Sequence, residues 1–264
     1  MIGISPDQVK LLYRIVGISS SYAGYHQKPF PLIRVSPYSW LSGNKGASTM
    51  WSSAALNVLE QFHQRMDEED RRVREIGLTE FFRRRDEFLL PVGSEVGHLL
   101  HALIVARKAK RIVELGTSYG YSTLFLAEAA RQTGGKVQTF EIAEDKQASA
   151  RKSIGQAGLG DHVEWNLGDA VTLLEETPGP FDFVLVDLWK ELYVPCFERF
   201  YPKLADHALV ASDNMLEPAV FREDAEAFQT MVRSKPDIQS MLLPLGSGLE
   251  LSCVYRQSQT EDQQ

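Results

Sequence analysis

Two acids and an amide stand at the ends of two predicted strands. Asp187 ends the apolar run at residues 184–187, and Asp213 with Asn214 ends the run at residues 210–214. Neighbouring parallel strands bring their carboxyl ends to one edge of a sheet, so these three side chains are expected to converge. Carboxylate and amide oxygens suit Mg²⁺ or another hard divalent ion, and the set predicts a metal site. Taken singly, Asp187 also fits a helix cap, and the Asp-Asn pair fits a turn.

A glycine-containing loop follows the first predicted strand. Residues 114–123 read Glu-Leu-Gly-Thr-Ser-Tyr-Gly-Tyr-Ser-Thr, and Gly116 and Gly120 allow a tight turn that a ligand can approach closely. The helix that begins after the loop directs free N–H groups at the turn, which favours a carboxylate or a phosphate. No Gly-Lys-Ser/Thr follows, so this is not a Walker loop, and Ser118 replaces the second glycine of the dinucleotide fingerprint.

Two further strand ends continue this pattern. Glu141 ends the second predicted strand, where an acid accepts hydrogen bonds from both hydroxyls of a ribose, in NAD or in S-adenosylmethionine. By itself Glu141 also fits an exposed acid. Residues 168–170, Gly-Asp-Ala, end the third predicted strand, where an adenine is expected to contact Asp169 and Ala170. The three strand ends together predict a nucleoside-containing ligand.

The elements that position these residues alternate along the chain. Strands and helices follow one another beyond Lys110, which predicts an α/β fold with a mostly parallel sheet and helices on both faces. The last two strands are joined by Gly246-Ser-Gly, and this short joint predicts an antiparallel hairpin. The predicted strands are residues 111–116, 136–142, 162–167, 181–186, 208–212, 238–243 and 249–255. The predicted helices are residues 94–108, 122–132, 145–157 and 217–233, after a helical pattern over residues 51–90.

Composition limits the function classes. The 264 residues suffice for one domain with an appendage, and the net charge of −7 argues against a duplex nucleic-acid partner. The two cysteines lack metal-ligand spacing, no apolar run approaches the roughly 20 residues of a membrane span, and the start lacks signal-peptide features. We therefore expect a cytoplasmic protein with a small-molecule substrate, no nucleic-acid partner and no membrane contact.

The chain divides into three predicted regions. Residues 1–50 are rich in aromatic residues and prolines and form an extension, interpreted as a lid, a dimer arm of a homodimer, or a segment packed on the domain. Residues 51–256 form the domain, and residues 257–264 form a polar tail. Within the domain, the arginine triplet at residues 83–85 is compatible with an anionic substrate, although a solvated helix face among acids is favoured.

Residues 114–122 resemble the first motif of class I methyltransferases, in the form found in the catechol and caffeoyl-CoA O-methyltransferase group. The likeness extends from about residue 92 to residue 214. It implies a Rossmann-like, seven-stranded fold and S-adenosylmethionine as the cofactor. It further implies that Val92 contacts the methionine part, that Glu141 holds the ribose, and that the first motif surrounds the amino-acid end. The predicted cofactor contacts are Val92, Glu114, Gly116, Ser118, Tyr119, Gly120, Ser122, Glu141, Asp169, Ala170, Asp187 and Trp189.

The segment Asp187-Leu-Trp-Lys190 resembles the Asp-x-x-Lys motif of the same family. The resemblance implies that Asp187, Asp213 and Asn214 bind the metal and that Lys190 is the general base. The chemistry agrees, because a phenol with a pKa near 10 is a poor nucleophile at neutral pH. A dication stabilises its oxyanion, and a lysine with a lowered pKa takes the proton. Trp189 is expected near the adenine or the substrate, or in the core.

The substrate expectation is a vicinal diol on an aromatic ring, because two adjacent oxygens chelate one ion. The animal catechol enzyme has a further glutamate late in its chain, for which Glu217 and Glu250 are the candidates here, although neither lies in a matching motif. Three alternatives stay open from sequence. They are a metal-independent class I methyltransferase, an NAD-dependent dehydrogenase and a non-catalytic nucleoside-binding protein. The dehydrogenase gives no reason for Asp187, Lys190 and Asp213 to meet.

Overall fold

The computed structural model describes residues 51–218 and 221–256, except for the side chain of Leu78. The predicted extension at residues 1–50 and the predicted tail at residues 257–264 lie outside the described residues. The helices of the described part are α1 Ser53–Arg83, α2 Ser94–Arg107, α3 Tyr121–Thr133, α4 Glu144–Gln156, α5 Ala170–Glu176, α6 Tyr193–Phe200 and α7 Arg222–Arg233. The strands are β1 Arg111–Leu115, β2 Lys136–Glu141, β3 Val163–Leu167, β4 Phe181–Val186, β5 Leu204–Ser212, β6 Ile238–Leu243 and β7 Leu249–Val254.

The strands form one sheet in the order β3-β2-β1-β4-β5-β7-β6. The first five strands pair in parallel, and β7 pairs antiparallel with both β5 and β6. This confirms the predicted mostly parallel, seven-stranded sheet with a final antiparallel hairpin. The strand order reverses between β1 and β4, and ligands of open α/β sheets bind at the carboxyl ends of the strands near such a point.

The sheet is buried on both faces, because consecutive side chains of a strand point to opposite sides. On β4, Phe183 and Leu185 pack in the cluster that includes residues of α1, α2 and α3, whereas Val184 and Val186 pack in the cluster that includes residues of α6 and α7. All four side chains are fully buried. Burial of each such side chain stabilises the fold by roughly 1.5–3 kcal/mol, so the strand ends are held on a rigid base.

Three predicted boundaries differ from the structure by four residues or more, and the others by two residues at most. Helix α7 begins at Arg222 and not at residue 217, because the backbone N–H groups of Met215, Leu216 and Glu217 bond to carbonyls of the loop between β6 and β7. Strand β5 begins at residue 204 and not at 208, and its pairing with β4 is irregular where His207 has a φ of 58°. The helical pattern of residues 51–90 ends as α-helix at residue 83.

Two short helices were not predicted from sequence. Asp169 begins α5, and its carboxylate accepts a hydrogen bond of 2.8 Å from the backbone N–H of Thr172. Helix α6 buries Tyr193, Phe197 and Phe200 against the sheet. In the described part of the chain, no helix has both the length and the apolar character that crossing a bilayer requires.

Candidate active site

The loop between β1 and α3 depends on its two glycines. Gly116 has a φ of 99°, and a Cβ there would collide with the backbone carbonyl oxygen of Asp187. Gly120 has a φ of 93°, and its Cβ would lie 2.9 Å from the Cβ of Ala150 on α4. Both positions combine a backbone conformation that other residues rarely adopt with close contact to a neighbouring segment. At Gly116 the first loop therefore packs directly against the loop after β4, and at Gly120 it packs against α4. The sequence pattern predicted the tight turn but not these two contacts.

Glu114 anchors the same loop from inside the protein. Its carboxylate is fully buried and accepts hydrogen bonds of 2.6 Å from the hydroxyls of Ser122, Thr123 and Thr139. Burial raises the pKa of Glu114 to about 7, against the lowering effect of these hydroxyl groups. Glu114 thus fixes the first turn of α3, which carries Ser122 at the edge of the cleft.

Glu141 lies at the end of β2, as predicted. One carboxylate oxygen accepts a hydrogen bond of 2.7 Å from the backbone N–H of Ser118 in the first loop. The other accepts bonds of 3.0 and 2.9 Å from the backbone N–H groups of Ile142 and Ala143. A carboxylate has about four lone-pair sites, so oxygens held in this way retain acceptor capacity for hydroxyl donors.

A narrow cleft lies between the first loop and the segment before α2. Its lining contains five of the predicted cofactor contacts, namely Val92, Gly116, Ser118, Ser122 and Asp187. It also contains residues for which the sequence raised no expectation, namely Leu89, Leu90, Pro91, Thr117 and Tyr121. The first turn of α3 lines this cleft through Tyr121 and Ser122, and the N-terminus of a helix suits an anionic group.

Seven predicted contacts lie outside the lining of the cleft. Glu114, Gly120 and Glu141 are described above, and the other four follow here. Tyr119 turns away, and its hydroxyl donates to the backbone carbonyl of Asp86 at 3.3 Å. Asp169 caps α5, and the side chain of Ala170 is buried in the core beneath that helix. Trp189 lies half-buried in the loop after β4. Contact of these four residues with a cofactor stays a prediction.

Two exposed apolar side chains flank Glu141, and the sequence analysis missed both. Ile142 is 73% exposed directly after β2, and Leu167 is 47% exposed at the end of β3. Glu141 and Leu167 are paired residues of neighbouring strands. An apolar surface beside a ribose-compatible acid suits the flat face of a heterocyclic base. The available signal was an isoleucine placed directly after the acid at a strand end.

Asp187 and Asp213 meet because β4 and β5 pair in register up to Val186 and Ser212, so the following residues are neighbours. The backbone N–H of Asp213 donates to the carbonyl of Val186 at 3.1 Å, which fixes the two loops together. Asn214 follows with a φ of 55°, so the chain turns sharply after the acid. The predicted convergence of the strand ends is therefore present.

Asp213 is buried, and Asp187 is partly buried beside it. Oδ1 of Asp213 is buried and has no hydrogen-bond partner among the described residues. Burial raises the pKa of Asp187 to about 6. Burial, together with the charge of Asp187, raises the pKa of Asp213 to about 8. The described residues bring no third acid, histidine or cysteine to this point. Two neighbouring carboxylates in this setting favour a cation or a proton between them.

Lys190 completes the group and is itself buried. Its Nζ donates a hydrogen bond of 3.0 Å to the backbone carbonyl oxygen of Asp213 and lies 3.6 Å from the ring centroid of Tyr193. The Tyr193 hydroxyl donates to the same carbonyl at 3.1 Å. Burial lowers the pKa of Lys190 to about 8, although Asp187 and Asp213 act to raise it. A lysine of this kind exchanges a proton near neutral pH.

The two candidate glutamates have different surroundings. Glu250 is fully buried on β7, where Arg233 donates to both carboxylate oxygens at 2.9 and 2.8 Å and Ser240 donates to one of them at 2.5 Å. Both carboxylate oxygens accept hydrogen bonds that hold α7 against the hairpin, so Glu250 has a structural role. Glu217 is half-buried in the loop after β5, close in the chain to Asn214.

The segment at residues 85–92, which we call the strap, links the loops of the site. Asp86 accepts from Tyr119 of the first loop and pairs with Lys146 of α4 at 3.3 Å. The guanidinium of Arg85 lies 4.2 Å above the ring of Trp189. From sequence, residue 92 of this segment was expected at the cofactor, and Arg85 was considered only as part of the triplet at residues 83–85. The other contacts depend on how α1 and α2 are joined.

A family model described as O-methyltransferase matches residues 76–254 of this chain. The catechol O-methyltransferase of Niastella koreensis is 30% identical over 171 residues, which cover 59% of this chain and 76% of that protein. Among solved structures, the O-methyltransferase TomG of Streptomyces achromogenes in complex with S-adenosylmethionine has a TM-score of 0.61 at 26% identity, covering 75% of this chain and 90% of TomG. The O-methyltransferase of Bacillus cereus in complex with S-adenosylhomocysteine has a TM-score of 0.58 at 27% identity, covering 62% of this chain and 82% of that one.

Proposed function

Because this chain belongs to the O-methyltransferase family and is an S-adenosylmethionine-dependent enzyme, we propose a specific acceptor and a metal for it. The acceptor is a vicinal diol on an aromatic ring, and a divalent ion such as Mg²⁺ is held by Asp187, Asp213 and Asn214. The similarity to a catechol O-methyltransferase supports the acceptor class. The protein's net charge of −7 is compatible with a small-molecule substrate.

The observation that carries the metal proposal is the buried Oδ1 of Asp213. A buried carboxylate oxygen without a partner is costly, and a bound cation removes that cost. Asp187 contributes a second acid from the neighbouring strand end, and Asn214 contributes an amide oxygen. One or two carboxylates with further neutral oxygens are the donor set that Mg²⁺ takes while it retains waters. The residues present therefore fit a hard divalent ion.

In this proposal, residues of the cleft and of the strand ends would bind the parts of the cofactor. Ser122 and the N–H groups at the start of α3 would hold the amino-acid end of the cofactor, with Val92 on the opposite wall of the cleft. Glu141 would accept hydrogen bonds from the ribose, and Ile142 and Leu167 would lie against the adenine. When bound, the cofactor supplies the methyl group, and the dication lowers the pKa of the attacking hydroxyl.

Lys190 takes the proton from the attacking hydroxyl in this proposal. Its Nζ is fixed beside Asp213 by the bond to the Asp213 carbonyl and by the Tyr193 ring, so it is oriented before a substrate arrives. A positioned base contributes typically 10²–10⁴-fold to a rate. The strap residues 89–92 and the first loop line the cleft, and orientation of the two reactants there would account for much of the acceleration.

Methyl transfer to a panel of catechols, with the neutral parent catechol included, tests the proposal. We expect monomethyl ethers to form in the presence of S-adenosylmethionine and Mg²⁺, and we expect EDTA to abolish the reaction until Mg²⁺ is restored. Turnover that survives both EDTA and Asp213→Ala would instead support a metal-independent methyltransferase. The protein's cytoplasmic location and an assembly as a homodimer stay predictions from the sequence.

A further inference from the structure

The arginine triplet of the strap region divides into two kinds of residue. Arg83 pairs with Glu80 at 2.5 Å, and Arg84 pairs with Glu87 at 2.6 Å. Both pairs lie on the exposed surface, as a solvated helix face requires. The third arginine, Arg85, differs from its neighbours. Across the part of the chain that the structure describes, its side chain forms no ion pair and no hydrogen bond, and only its backbone carbonyl accepts one, from Phe88.

Arg85 is nevertheless held in place. Its guanidinium carbon lies 4.2 Å from the centroid of the Trp189 ring, and its side chain is half-buried. An arginine stacked on an aromatic face is attracted by the ring and is restricted in its motion. A guanidinium has five N–H donors, and those of Arg85 have no hydrogen-bond acceptor in the described part of the chain. A fixed fork of donors of this kind matches a carboxylate or a phosphate.

The location of this fork ties it to the site. Trp189 lies between Asp187 and Lys190 in the loop after β4, so Arg85 is attached to the loop that carries the proposed metal ligand and base. The nearest acids in the chain, Asp86 and Glu87, are engaged by other cations. Arg85 is therefore an arginine beside this loop whose positive charge is not paired with a carboxylate, and it is able to bind an anion there.

We propose that Arg85 is a specificity residue that binds an anionic group of the substrate, so that the enzyme prefers aromatic diols that carry a carboxylate or similar anion on the ring. This inference rests on the proposed function and narrows its substrate class. The Trp189 ring supports the guanidinium from one side, and the substrate anion binds the free edge. Arg83 and Arg84 take no part, because their charges are matched by Glu80 and Glu87.

A matched substrate pair tests the inference. 3,4-Dihydroxybenzoic acid and 3,4-dihydroxybenzamide share a ring and both hydroxyls, and they differ in the charge of one substituent. With S-adenosylmethionine and Mg²⁺, we expect kcat/KM of the wild type for the acid to exceed that for the amide by about tenfold or more, as a charge-assisted bidentate contact provides. We expect Arg85→Gln to remove most of that preference while kcat/KM for the amide changes less than about twofold.

Arg83→Gln is the control, because it removes one positive charge from the same triplet at a side chain that is 72% exposed. We expect this variant to keep the wild-type ratio of acid to amide. The inference is overturned if the wild type does not prefer the acid, or if Arg85→Gln lowers kcat/KM for both substrates in parallel. A parallel fall in affinity for S-adenosylmethionine, measured by calorimetry, would also contradict it, because Arg85 would then act on the cofactor.

The parent catechol and a binding measurement separate this inference from the proposed function. If catechol is methylated but the acid is not preferred, the proposed function stands and the role of Arg85 is wrong. If neither catechol nor the two test substrates are methylated, the proposed function is wrong. Calorimetry of 3,4-dihydroxybenzoic acid with the S-adenosylhomocysteine complex then decides on Arg85, since unchanged affinity in Arg85→Gln excludes recognition and a loss of about tenfold supports it.

Discussion

Lys190 Nζ donates a hydrogen bond of 3.0 Å to the backbone carbonyl oxygen of Asp213, which joins the loop after β4 to the loop after β5. The bond is buried, and the Tyr193 hydroxyl donates to the same oxygen. The lysine is therefore positioned by the backbone of the residue whose side chain is proposed to bind the metal. The proposed base and the proposed metal site are thus joined by a direct hydrogen bond, and a change in either is expected to affect turnover more than cofactor binding.

Replacement of Lys190 by methionine tests the role of the base. Methionine retains most of the apolar stem, so the fold is expected to lose only about 0.5–1.5 kcal/mol for the missing hydrogen bond. We expect kcat to fall by roughly 10²–10⁴-fold, the usual contribution of a general base. The dissociation constant of S-adenosylmethionine, from calorimetry, is expected to change less than about threefold. A parallel decline of binding and turnover would mean that Lys190 has a structural role only.

Substitution of Gly116 by alanine tests the packing of the first loop. The added Cβ meets the Asp187 carbonyl, and the φ of 99° suits glycine, so we expect both thermal stability and cofactor affinity to fall. Gly155→Ala is a matched control, because this helical glycine has no atom within 4 Å of an added Cβ. There we expect a gain of about 0.5–1 kcal/mol in unfolding free energy. Equal stability of the two variants would show that the loop tolerates side chains.

The buried histidine His101 predicts a pH dependence of stability. Burial lowers the pKa of His101, and its Nε2 lies 3.1 Å from the amide nitrogen of Gln132. Below the ordinary histidine pKa of about 6.5, the unfolded chain binds a proton that the folded chain excludes. This contribution to stability is present above about pH 6.5 and is lost as the pH falls.

Denaturant unfolding from about pH 7.5 to about pH 5.5 measures this effect. We expect the free energy of unfolding to decline more gradually with falling pH in His101→Asn than in the wild type. His207→Asn, at a side chain that is 61% exposed, controls for the removal of a histidine as such. If the free energy of unfolding depends on pH as steeply in His101→Asn as in the wild type, His101 does not cause the pH dependence.

Substitutions of the two candidate glutamates, Glu217 and Glu250, are expected to affect different properties, substrate binding for one and stability for the other. Glu250→Ala leaves Arg233 without its carboxylate, and we expect a loss of roughly 2–3 kcal/mol, less than for a fully buried pair because Arg233 is partly exposed. Activity per folded molecule is expected to persist. Glu217→Gln is expected to leave the melting temperature nearly unchanged and to raise KM for the diol. Raised KM in Glu250→Ala with normal stability would reverse the assignment.

Much of the fold was predictable because strand burial and turn residues are local signals. The runs ending at Leu115 and Val186 are mostly apolar, the run ending at Glu141 mixes apolar and polar residues, and the structure has strands at all three. The start of α7 was not predictable, because residues 215–217 give their N–H groups to a distant hairpin loop. The short helix α5 was also missed, since its seven residues are too few for a clear periodicity.

The candidate site likewise has parts that were predictable from the sequence and parts that were not. The convergence of Asp187 and Asp213 follows from strand order and register. The alternation of strands and helices implied parallel neighbouring strands, whereas the register is seen only in the structure. The strap contacts of Arg85 and Asp86 join segments that are far apart in the chain, and no local pattern encodes them. The exposure of Ile142 likewise depends on where β2 ends relative to β3.

The shared ion is the central claim, and anomalous diffraction tests it most directly. Crystals grown with Mn²⁺ and S-adenosylhomocysteine would be measured at the manganese absorption edge. We expect one strong anomalous peak from an ion bound by Asp187, Asp213 and Asn214, at about 2.0–2.3 Å from their side-chain oxygens. Full cofactor density without a peak at these residues, or with the peak elsewhere, would contradict it.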